Sequence, residues 1–311
     1  MITAGPCAII GGGLIATAGA LALEKLGSPV TVVTRAPPPL SGKTIAWNYG
    51  DVSSSTAYQA VAEAQSVIYA AGTLGPATQL ETVHGAIAEE IVPVLKLAEE
   101  AALKGVRTFV FISSGGTVYG PNAPLPTKES VRTAPINMYG TIKALTEQAL
   151  FEVGRKHGIT IVVLRVSNPY GPGQTGTRRQ GFVAAAVKTA LAGEPIVIWG
   201  DGSTTRDFIH LDDVGTAVAA ASAYRGPSVI LNVGSGQEHS LLDVCNIVSR
   251  YSLEPLKVHF DEGRSFDVPR SCLDISQAAL ILGWSPSVSL EEGIAKTMSN
   301  AQGVASAHPS I

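Results

Sequence analysis

The sequence predicts an α/β protein: a Rossmann-type, doubly wound parallel sheet with a smaller C-terminal substrate-binding lobe. Its first half alternates short apolar runs with helix-forming segments. The apolar runs lie at 7–10, 30–33, 66–71, 108–112 and 160–165. Strands that are apolar throughout are typical of a parallel sheet that helices cover on both faces.

A glycine-rich turn follows the first predicted strand and supports the same fold. Gly11 and Gly13 precede Ala16 in a G-x-G-x-x-A spacing, and a predicted helix over 14–26 begins in this turn. Glycines let the backbone approach a pyrophosphate at the helix N-terminus, and a small third residue lets helix and strand pack closely. The context predicts a dinucleotide site, and a tight turn without a ligand is the alternative.

The chain changes character beyond Pro169, where loops rich in glycine and proline separate shorter elements. We therefore predict a dinucleotide-binding domain over 1–171, to which 204–235 returns. The smaller lobe is predicted to comprise 172–203 and 236–311.

Composition excludes several classes of protein. The 311 residues are 45% hydrophobic and 15% charged, which predicts a large buried core. A net charge of -3 with scattered lysines and arginines argues against nucleic acid as a partner. Three widely spaced cysteines, Cys7, Cys245 and Cys272, argue against a disulfide framework and a metal site. We expect a cytoplasmic protein with neither signal peptide nor membrane span.

An acid/base pair is predicted on the helix expected over 138–153. Tyr139 and Lys143 are four residues apart and would share one face of that helix. A phenol has a pKa of about 10, and an ammonium within about 4 to 6 Å would lower it. Ser114 and Thr117 supply hydroxyls just upstream. The plainer alternative is a solvated helix face.

Residues near the ends of the predicted strands are expected to contact the cofactor. Arg35 ends the second strand, where an acidic residue would accept a hydrogen bond from the 2′-hydroxyl of NAD. An arginine could instead pair with the 2′-phosphate of NADP, so we expect NAD with NADP possible; a solvent-facing arginine is equally open. The further predicted contacts are Leu14, Ile15, Asp51, Val52, Ala70 and Ala71.

Five motifs occur in a characteristic order: the glycine turn, 113–120, the Tyr139/Lys143 pair, 165–174 and 206–214. In this order they resemble the extended short-chain dehydrogenases, and most of all the nucleotide-sugar 4-epimerases of the UDP-galactose 4-epimerase group. The resemblance spans about residues 8–297 and implies a UDP-linked sugar as substrate.

The resemblance implies a role for each catalytic residue. Tyr139 would be the acid/base on the 4-hydroxyl of the sugar, and Thr117 would bridge that hydroxyl and Tyr139. Lys143 would hold the nicotinamide ribose and lower the pKa of Tyr139. Hydride would pass to the cofactor and return to the other face of a transient 4-keto sugar.

The resemblance also implies substrate contacts in the second lobe. Asn168, Arg206 and Arg264 match positions that contact the diphosphate, while Gln174 and Trp199 would line the base and ribose. Simpler roles stay open: a turn for Asn168, a surface ion pair with Asp207 for Arg206, and the core for Trp199. His210 is expected to be a buried structural histidine, and the pair 212–213 a helix cap.

The chain departs from the family pattern at three places. Gly115 stands where a serine is usual, the first loop is one residue short, and Glu90 stands where an asparagine is common. Two further hypotheses therefore accompany the 4-epimerase: an NADPH-dependent reductase or dehydratase of a nucleotide-linked keto sugar, and a catalytically silent dinucleotide-sensing protein. Apolar residues on more than one face of the helices at 84–104 and 138–157 permit the homodimer that we expect, and a role in the core is equally open for them.

Overall fold

A computed structural model describes residues 5–36, 42–75, 82–174, 181–262 and 268–307. The strands are β1 (Cys7–Ile10), β2 (Val30–Thr34), β3 (Ala46–Tyr49), β4 (Ser66–Tyr69), β5 (Thr108–Ser114), β6 (Thr160–Val166), β7 (Asn168–Tyr170), β8 (Ile196–Trp199), β9 (Thr205–Arg206), β10 (Phe208–His210), β11 (Val229–Val233), β12 (His239–Ser240) and β13 (Val258–Asp261). The α-helices are α1 (Leu14–Lys25), α2 (Ser55–Ala62), α3 (Val83–Ala86), α4 (Val92–Leu103), α5 (Gly115–Val118), α6 (Met138–His157), α7 (Phe182–Ala192), α8 (Leu211–Ala223), α9 (Leu241–Arg250), α10 (Ser276–Leu282) and α11 (Leu290–Ala307).

A seven-stranded parallel sheet forms the centre of the protein, in the order β11-β6-β5-β4-β1-β2-β3. This confirms the predicted α/β class. Strand β1 lies between β2 and β4, with Cys7 opposite both Val30 and Ser66. The chain order therefore reverses beside β1. In such sheets a crevice opens at the carboxyl ends of the strands at this point.

Helices cover both faces of the sheet because both faces are apolar. On one face Ile9, Ile68 and Val110 are buried in a core that includes α1 and α8. On the other, Ile10 and Phe109 are buried in a core with α2, α4 and α6. Burial on both sides explains the unbroken apolar runs in the sequence.

The structure differs from the predicted elements in three places. Strand β3 lies at the sheet edge with three of its four residues exposed, and Asn48 interrupts its apolar residues, so it has no continuous apolar run to identify it. The strand expected over 66–71 ends at Tyr69. The helix expected over 84–104 contains a π-helical turn, Ile87–Ile91, just before Pro93. Proline has no N–H for the helical ladder, which favours such a break.

The C-terminal elements form a second core outside the main sheet. Helices α7, α9 and α11 share it, with Val183, Ile198, Val244 and Ile294 all buried. Strand β11 and helix α8, from the segment predicted to return, belong instead to the main sheet and its covering layer. The predicted domain boundary near residue 171 stays a prediction.

Asp207, between β9 and β10, holds two loops in place. Its carboxylate is fully buried and accepts hydrogen bonds from the backbone N–H groups of Ser235 (2.7 Å), Gly236 (3.3 Å) and Leu273 (3.1 Å). Burial raises the pKa of this carboxyl, and the donated hydrogen bonds oppose the rise. The Asp207 carboxylate therefore accepts hydrogen bonds from the loop backbone and does not form a surface ion pair with Arg206.

None of the helices in the described ranges combines the length and the apolar character that crossing a bilayer requires.

Candidate active site

Two adjoining cavities form a cleft at the carboxyl ends of the parallel strands. The glycine-loop cavity, about 630 Å³, is lined by Gly11, Gly13, Arg35, Asp51 and Val52 among others. The tyrosine cavity, about 560 Å³, is lined among others by Leu14, Ile15, Ser114, Thr117, Tyr139, Lys143, Asn168, Gln174 and Arg206. Both cavities include Tyr69, Ala70, Ala71, Gly72 and Glu90, which form the neck between them.

The glycine turn has the geometry of a phosphate site. Gly11 has φ +117°, and a Cβ there would lie 2.8 Å from the backbone of Ala70 and Ala71, so only glycine fits. Helix α1 starts directly after this turn, and its first-turn N–H groups have no partners within the helix. Such a terminus, open to the cavity, suits the pyrophosphate of a dinucleotide.

Two opposite charges line the far end of the glycine-loop cavity. Arg35 and Asp51 are both exposed, and the Asp51 carboxylate accepts a hydrogen bond from the Ser53 N–H at 2.8 Å. Both residues therefore lie where the sequence places the adenosine end of a dinucleotide.

Close approach of α5 to α6 builds the tyrosine cavity. A Cβ on Gly140 would lie 2.6 Å from the Thr117 carbonyl oxygen, so glycine is required there. Asn137 caps α6 by accepting the Gly140 N–H at 2.8 Å. This cap begins the helix one residue before Tyr139. The structure thereby brings Thr117, Tyr139 and Lys143 to one cavity, as the sequence predicts.

Two polar atoms lining this cavity lack hydrogen-bond partners among the described residues. They are the Thr117 hydroxyl and the Gln174 side-chain oxygen, and both are buried. Buried polar groups are almost always satisfied, so each unsatisfied one calls for an explanation. A polyhydroxylated ligand in the cavity would supply the missing partners.

Burial has the largest effect on the pKa values of Tyr139 and Lys143. The Lys143 ammonium donates to the Ile112 carbonyl at 3.0 Å and lies 5.7 Å from the Tyr139 ring centroid. Burial lowers the pKa of Lys143 to about 8, although the carboxylates of Glu90 and Glu147 oppose this.

The expected lowering of the Tyr139 pKa is wrong for this structure. Burial raises the pKa of Tyr139, and a nearby Glu90 carboxylate adds to the rise. A hydrogen bond with Ser114 opposes both effects. The desolvation of the phenolate outweighs any gain from the ammonium, whose nitrogen is bonded to Ile112.

A buried ion pair beneath the cavity was missed from the sequence. Arg165 Nε lies 3.1 and 3.2 Å from the two Glu147 carboxylate oxygens, and the Ser113 hydroxyl also donates to Glu147. Arg165 and Glu147 are almost fully buried. The available signal was an arginine inside an apolar strand, together with a glutamate four residues after Lys143. The pair ties α6 to β6.

The structure describes two of the three residues predicted to contact the diphosphate. Asn168 and Arg206 line the tyrosine cavity. The Asn168 amide donates to the Asp207 carbonyl at 3.3 Å, and Arg206 Nη1 donates to the carbonyls of Thr205 (2.8 Å) and Val268 (2.6 Å). Arg264 lies outside the described residues.

Trp199 is 41% exposed at the end of β8, which argues against a core role, and it is not among the residues that line the two cavities. Its substrate contact stays a prediction.

The predicted cap of α8 needs correction. His210 is buried as expected, but it caps α8: its Nδ1 accepts the Asp212 N–H at 3.2 Å. Asp213 is not a cap, because its buried carboxylate accepts the N–H groups of Ser287 (2.9 Å) and Val288 (3.0 Å).

No group of three or more His, Cys, Asp and Glu side chains converges as a metal site within the part of the chain that the structure describes. The polar side chains that line the cleft include hydroxyls, amides, Lys143, Arg35 and Arg206, together with the carboxylates of Asp51, Glu89 and Glu90.

Residues 7–234 match the NAD dependent epimerase/dehydratase family, and the chain belongs to this family. The predicted extended short-chain dehydrogenase class is confirmed, and so is the prediction of NAD as cofactor. The glycine turn, the N-terminus of α1, Tyr139 and Lys143 are the parts of the cleft that fit this dinucleotide.

Known proteins resemble this chain in sequence or in structure, and the length over which they match differs. A UDP-glucose 4-epimerase of Mycolicibacterium smegmatis is 37% identical over 208 residues, which are 67% of this chain and 66% of that protein. The chain thus spans just under two thirds of that relative's length. The UDP-glucose 4-epimerase of Thermotoga maritima, solved with UDP-glucose, has a TM-score of 0.88 and 27% identity, covering 96% of this chain and 99% of that one. The UDP-glucose 4-epimerase of Thermus thermophilus, solved with NAD, has a TM-score of 0.84 and 26% identity, with the same coverage.

The low pKa of Lys143 can be tested by titration. With lysines carrying ¹³C-methyl groups, one NMR signal should titrate with a midpoint of about 8, because burial disfavours the ammonium. The signal should be absent in Lys143→Arg, which assigns it. A Lys143 signal titrating near the usual lysine value of about 10.4 would contradict the prediction.

Proposed function

We propose that the protein is a nucleotide-sugar 4-epimerase that acts on a UDP-linked sugar through a transient 4-keto sugar. The observation that carries the proposal is the buried, unpartnered Thr117 hydroxyl in the same cavity as Tyr139 and Lys143. A sugar hydroxyl placed there would satisfy Thr117 and meet the phenol. The names of the similar proteins support the same activity.

Each residue of the cavity has a chemical task in this proposal. Bound NAD supplies the acceptor, and then the donor, of hydride. Thr117 orients the 4-hydroxyl of the sugar, and Tyr139 takes its proton as the carbon is oxidised. Lys143 holds the nicotinamide ribose. Asn168 and Arg206 contact the diphosphate, Gln174 lies toward the nucleoside, and Ser114 bonds Tyr139.

The raised pKa of Tyr139 favours the neutral phenol, which is the form that returns a proton to the carbonyl oxygen of the keto sugar. The same rise disfavours the phenolate that must accept the hydroxyl proton, because a general base works best with a pKa near the operating pH. The hydrogen bond from Ser114 moderates the rise.

A reductase of a nucleotide-linked keto sugar would use the same residues but consume NADPH. A dehydratase step would want an acidic residue beside the catalytic hydroxyl, and the neighbours of Thr117 are Gly116 and Val118. A protein that only senses dinucleotides would have no need of the assembled hydroxyl, phenol and lysine. The epimerase is therefore the better supported function.

One assay separates these functions. The purified protein is incubated with UDP-glucose, UDP-GlcNAc and their 4-epimers, with no cofactor added, and the products are resolved by chromatography. Interconversion supports the epimerase. Oxidation of added NADPH only in the presence of a keto sugar would instead establish the reductase.

Tyr139→Phe should lower epimerisation by at least about 100-fold, because it removes the proton-transfer group. Bound cofactor, released by denaturation and quantified, should remain at the wild-type level. Tyr251→Phe, at an exposed tyrosine that follows α9, is the matched control and should keep the wild-type rate. A Tyr139→Phe enzyme with near wild-type turnover would refute the assignment.

We propose that Arg35 lets the site accept NADP as well as NAD. The guanidinium would pair with the 2′-phosphate, while Asp51 at the same end of the cavity contacts the adenosine. Arg35→Ala should weaken NADP binding by about tenfold and leave NAD binding nearly unchanged, as measured by calorimetry. Arg250→Ala, outside the cleft, is the control. Equal losses for both cofactors would contradict this role.

We also propose that the protein is a homodimer through α4 and α6, which pack beside each other. Leu103 and Leu145, on these two helices, are 73% and 42% exposed. Pairing the same face of two copies would bury these side chains in a two-fold interface.

Leu145→Glu should convert the dimer to monomers in sedimentation velocity, because it puts a charge into the proposed interface. Leu280→Glu, at an equally apolar and 78% exposed position on α10, should leave the dimer intact. A monomeric wild-type protein, or a dimeric Leu145→Glu variant, would rule out this interface.

We propose that the protein works in the cytoplasm. The three cysteines are unpaired and buried, which suits a reducing compartment. Recovery of the native protein with secreted material in cell fractionation would contradict this.

A further inference from the structure

Glu90 is the carboxylate that lies in the neck of the cleft. Its Oε1 accepts the Thr73 N–H at 2.8 Å and also the Thr73 hydroxyl. Its Oε2 lies 3.3 Å from the position that a Cβ on Gly72 would occupy. Glu90 therefore lies against the loop 72–73 that follows β4, and it lines both cavities.

The placement of Glu90 comes from the π-helical turn Ile87–Ile91, to which it belongs. This turn precedes Pro93 and packs toward α6 through Ile91 and Ile142, which share a small buried cluster. Short π-helical turns interrupting α-helices occur frequently at functional sites. Here the turn brings a carboxylate to the cleft within a helix whose remaining turns are α-helical.

The charge of Glu90 acts on the reacting end of the cleft. Among the described residues that line the tyrosine cavity, Glu90 is the single acidic one, and the basic ones are Lys143 and Arg206. Glu147 is close by, but it is buried against Arg165 and does not line the cavity. The Glu90 carboxylate raises the pKa of Lys143 and of Tyr139, so its field reaches both.

We propose that Glu90 makes this site favour the oxidised nicotinamide cofactor over the reduced one. This inference rests on the proposed function only in that the nicotinamide must lie near Tyr139 to exchange hydride. The oxidised ring carries a positive charge and the reduced ring is neutral. A fixed carboxylate on the wall of the same cavity therefore stabilises the oxidised form selectively.

The preference has a consequence for catalysis. In the proposed reaction, oxidation of a sugar carbinol would place its hydride on the cofactor and its hydroxyl proton on Tyr139. If the keto sugar leaves before both return, the protein is left with a reduced cofactor and no partner for its hydride. Glu90 disfavours that state and favours the state that can begin a new turnover.

The test compares the dissociation constants of NADH and NAD on protein freed of bound nucleotide. NADH binding is followed by its fluorescence, and NAD binding by displacement of NADH. In Glu90→Gln the amide can still accept the Thr73 N–H, but the charge is gone. The ratio of the NADH constant to the NAD constant should fall by about tenfold, which corresponds to about 30 mV in the potential of the bound couple.

Two further variants identify the cause. Glu90→Asp keeps the charge and should keep a ratio within about threefold of wild type. Glu63→Gln removes a carboxylate of the same type from the exposed C-terminal end of α2, where it bonds Gln59, and should leave both constants unchanged.

Three results would overturn the inference. The first is an equal loss of both affinities in Glu90→Gln, which would make Glu90 only a clamp on the loop 72–73. The second is an unchanged ratio. The third is a Glu90→Asp ratio equal to that of Glu90→Gln. A wild-type protein that binds both cofactors but epimerises no sugar would refute the proposed function and leave this measurement standing.

Discussion

The buried pair of Arg165 and Glu147 is the interaction on which the site depends. It joins α6 to strand β6 of the main sheet, and Glu147 also accepts a hydrogen bond from the Ser113 hydroxyl of β5. Helix α6 is thereby held in place relative to the ends of β5 and β6. Because a buried pair left without one partner costs about 3 to 5 kcal/mol, this position has little freedom to slide. Because Tyr139 and Lys143 are on the same helix as Glu147, their positions depend on this ion pair.

Desolvation sets the chemistry that this frame supports. The cavity lies deep enough that burial lowers the pKa of Lys143 and raises that of Tyr139, so both groups are driven toward their neutral forms. Ser114 and Glu90 have opposite effects on the pKa of Tyr139, which Ser114 lowers and Glu90 raises. The hydrogen bond of Ser114 favours the phenolate, and the carboxylate of Glu90 favours the ammonium. The pKa values of Tyr139 and Lys143 therefore depend on burial and on a few neighbouring polar groups.

Much of the fold and the site could be predicted because their signals are local. The apolar runs identified most strands of the sheet, and the spacing of Tyr139 and Lys143 placed both on one helix face. Other features depend on neighbours that are distant in sequence. The exposed edge strand β3 needs β2 as its partner, and β8 pairs with β13, more than 50 residues further along the chain. The sign of the Tyr139 pKa shift depends on burial, which spacing does not reveal.

The sequence by itself determined the class of fold, the glycine turn and the placement of Tyr139 and Lys143 on one helix face, because helix periodicity, strand hydrophobicity and glycine conformation act over a few residues. Tertiary structure decided which charges meet. Glu90 reaches the cleft through a π-helical turn beside Thr73, and Glu147 is neutralised by Arg165 from a neighbouring strand. The physical reason is that desolvation and Coulomb interactions depend on distance in space, and chain folding alone sets that distance.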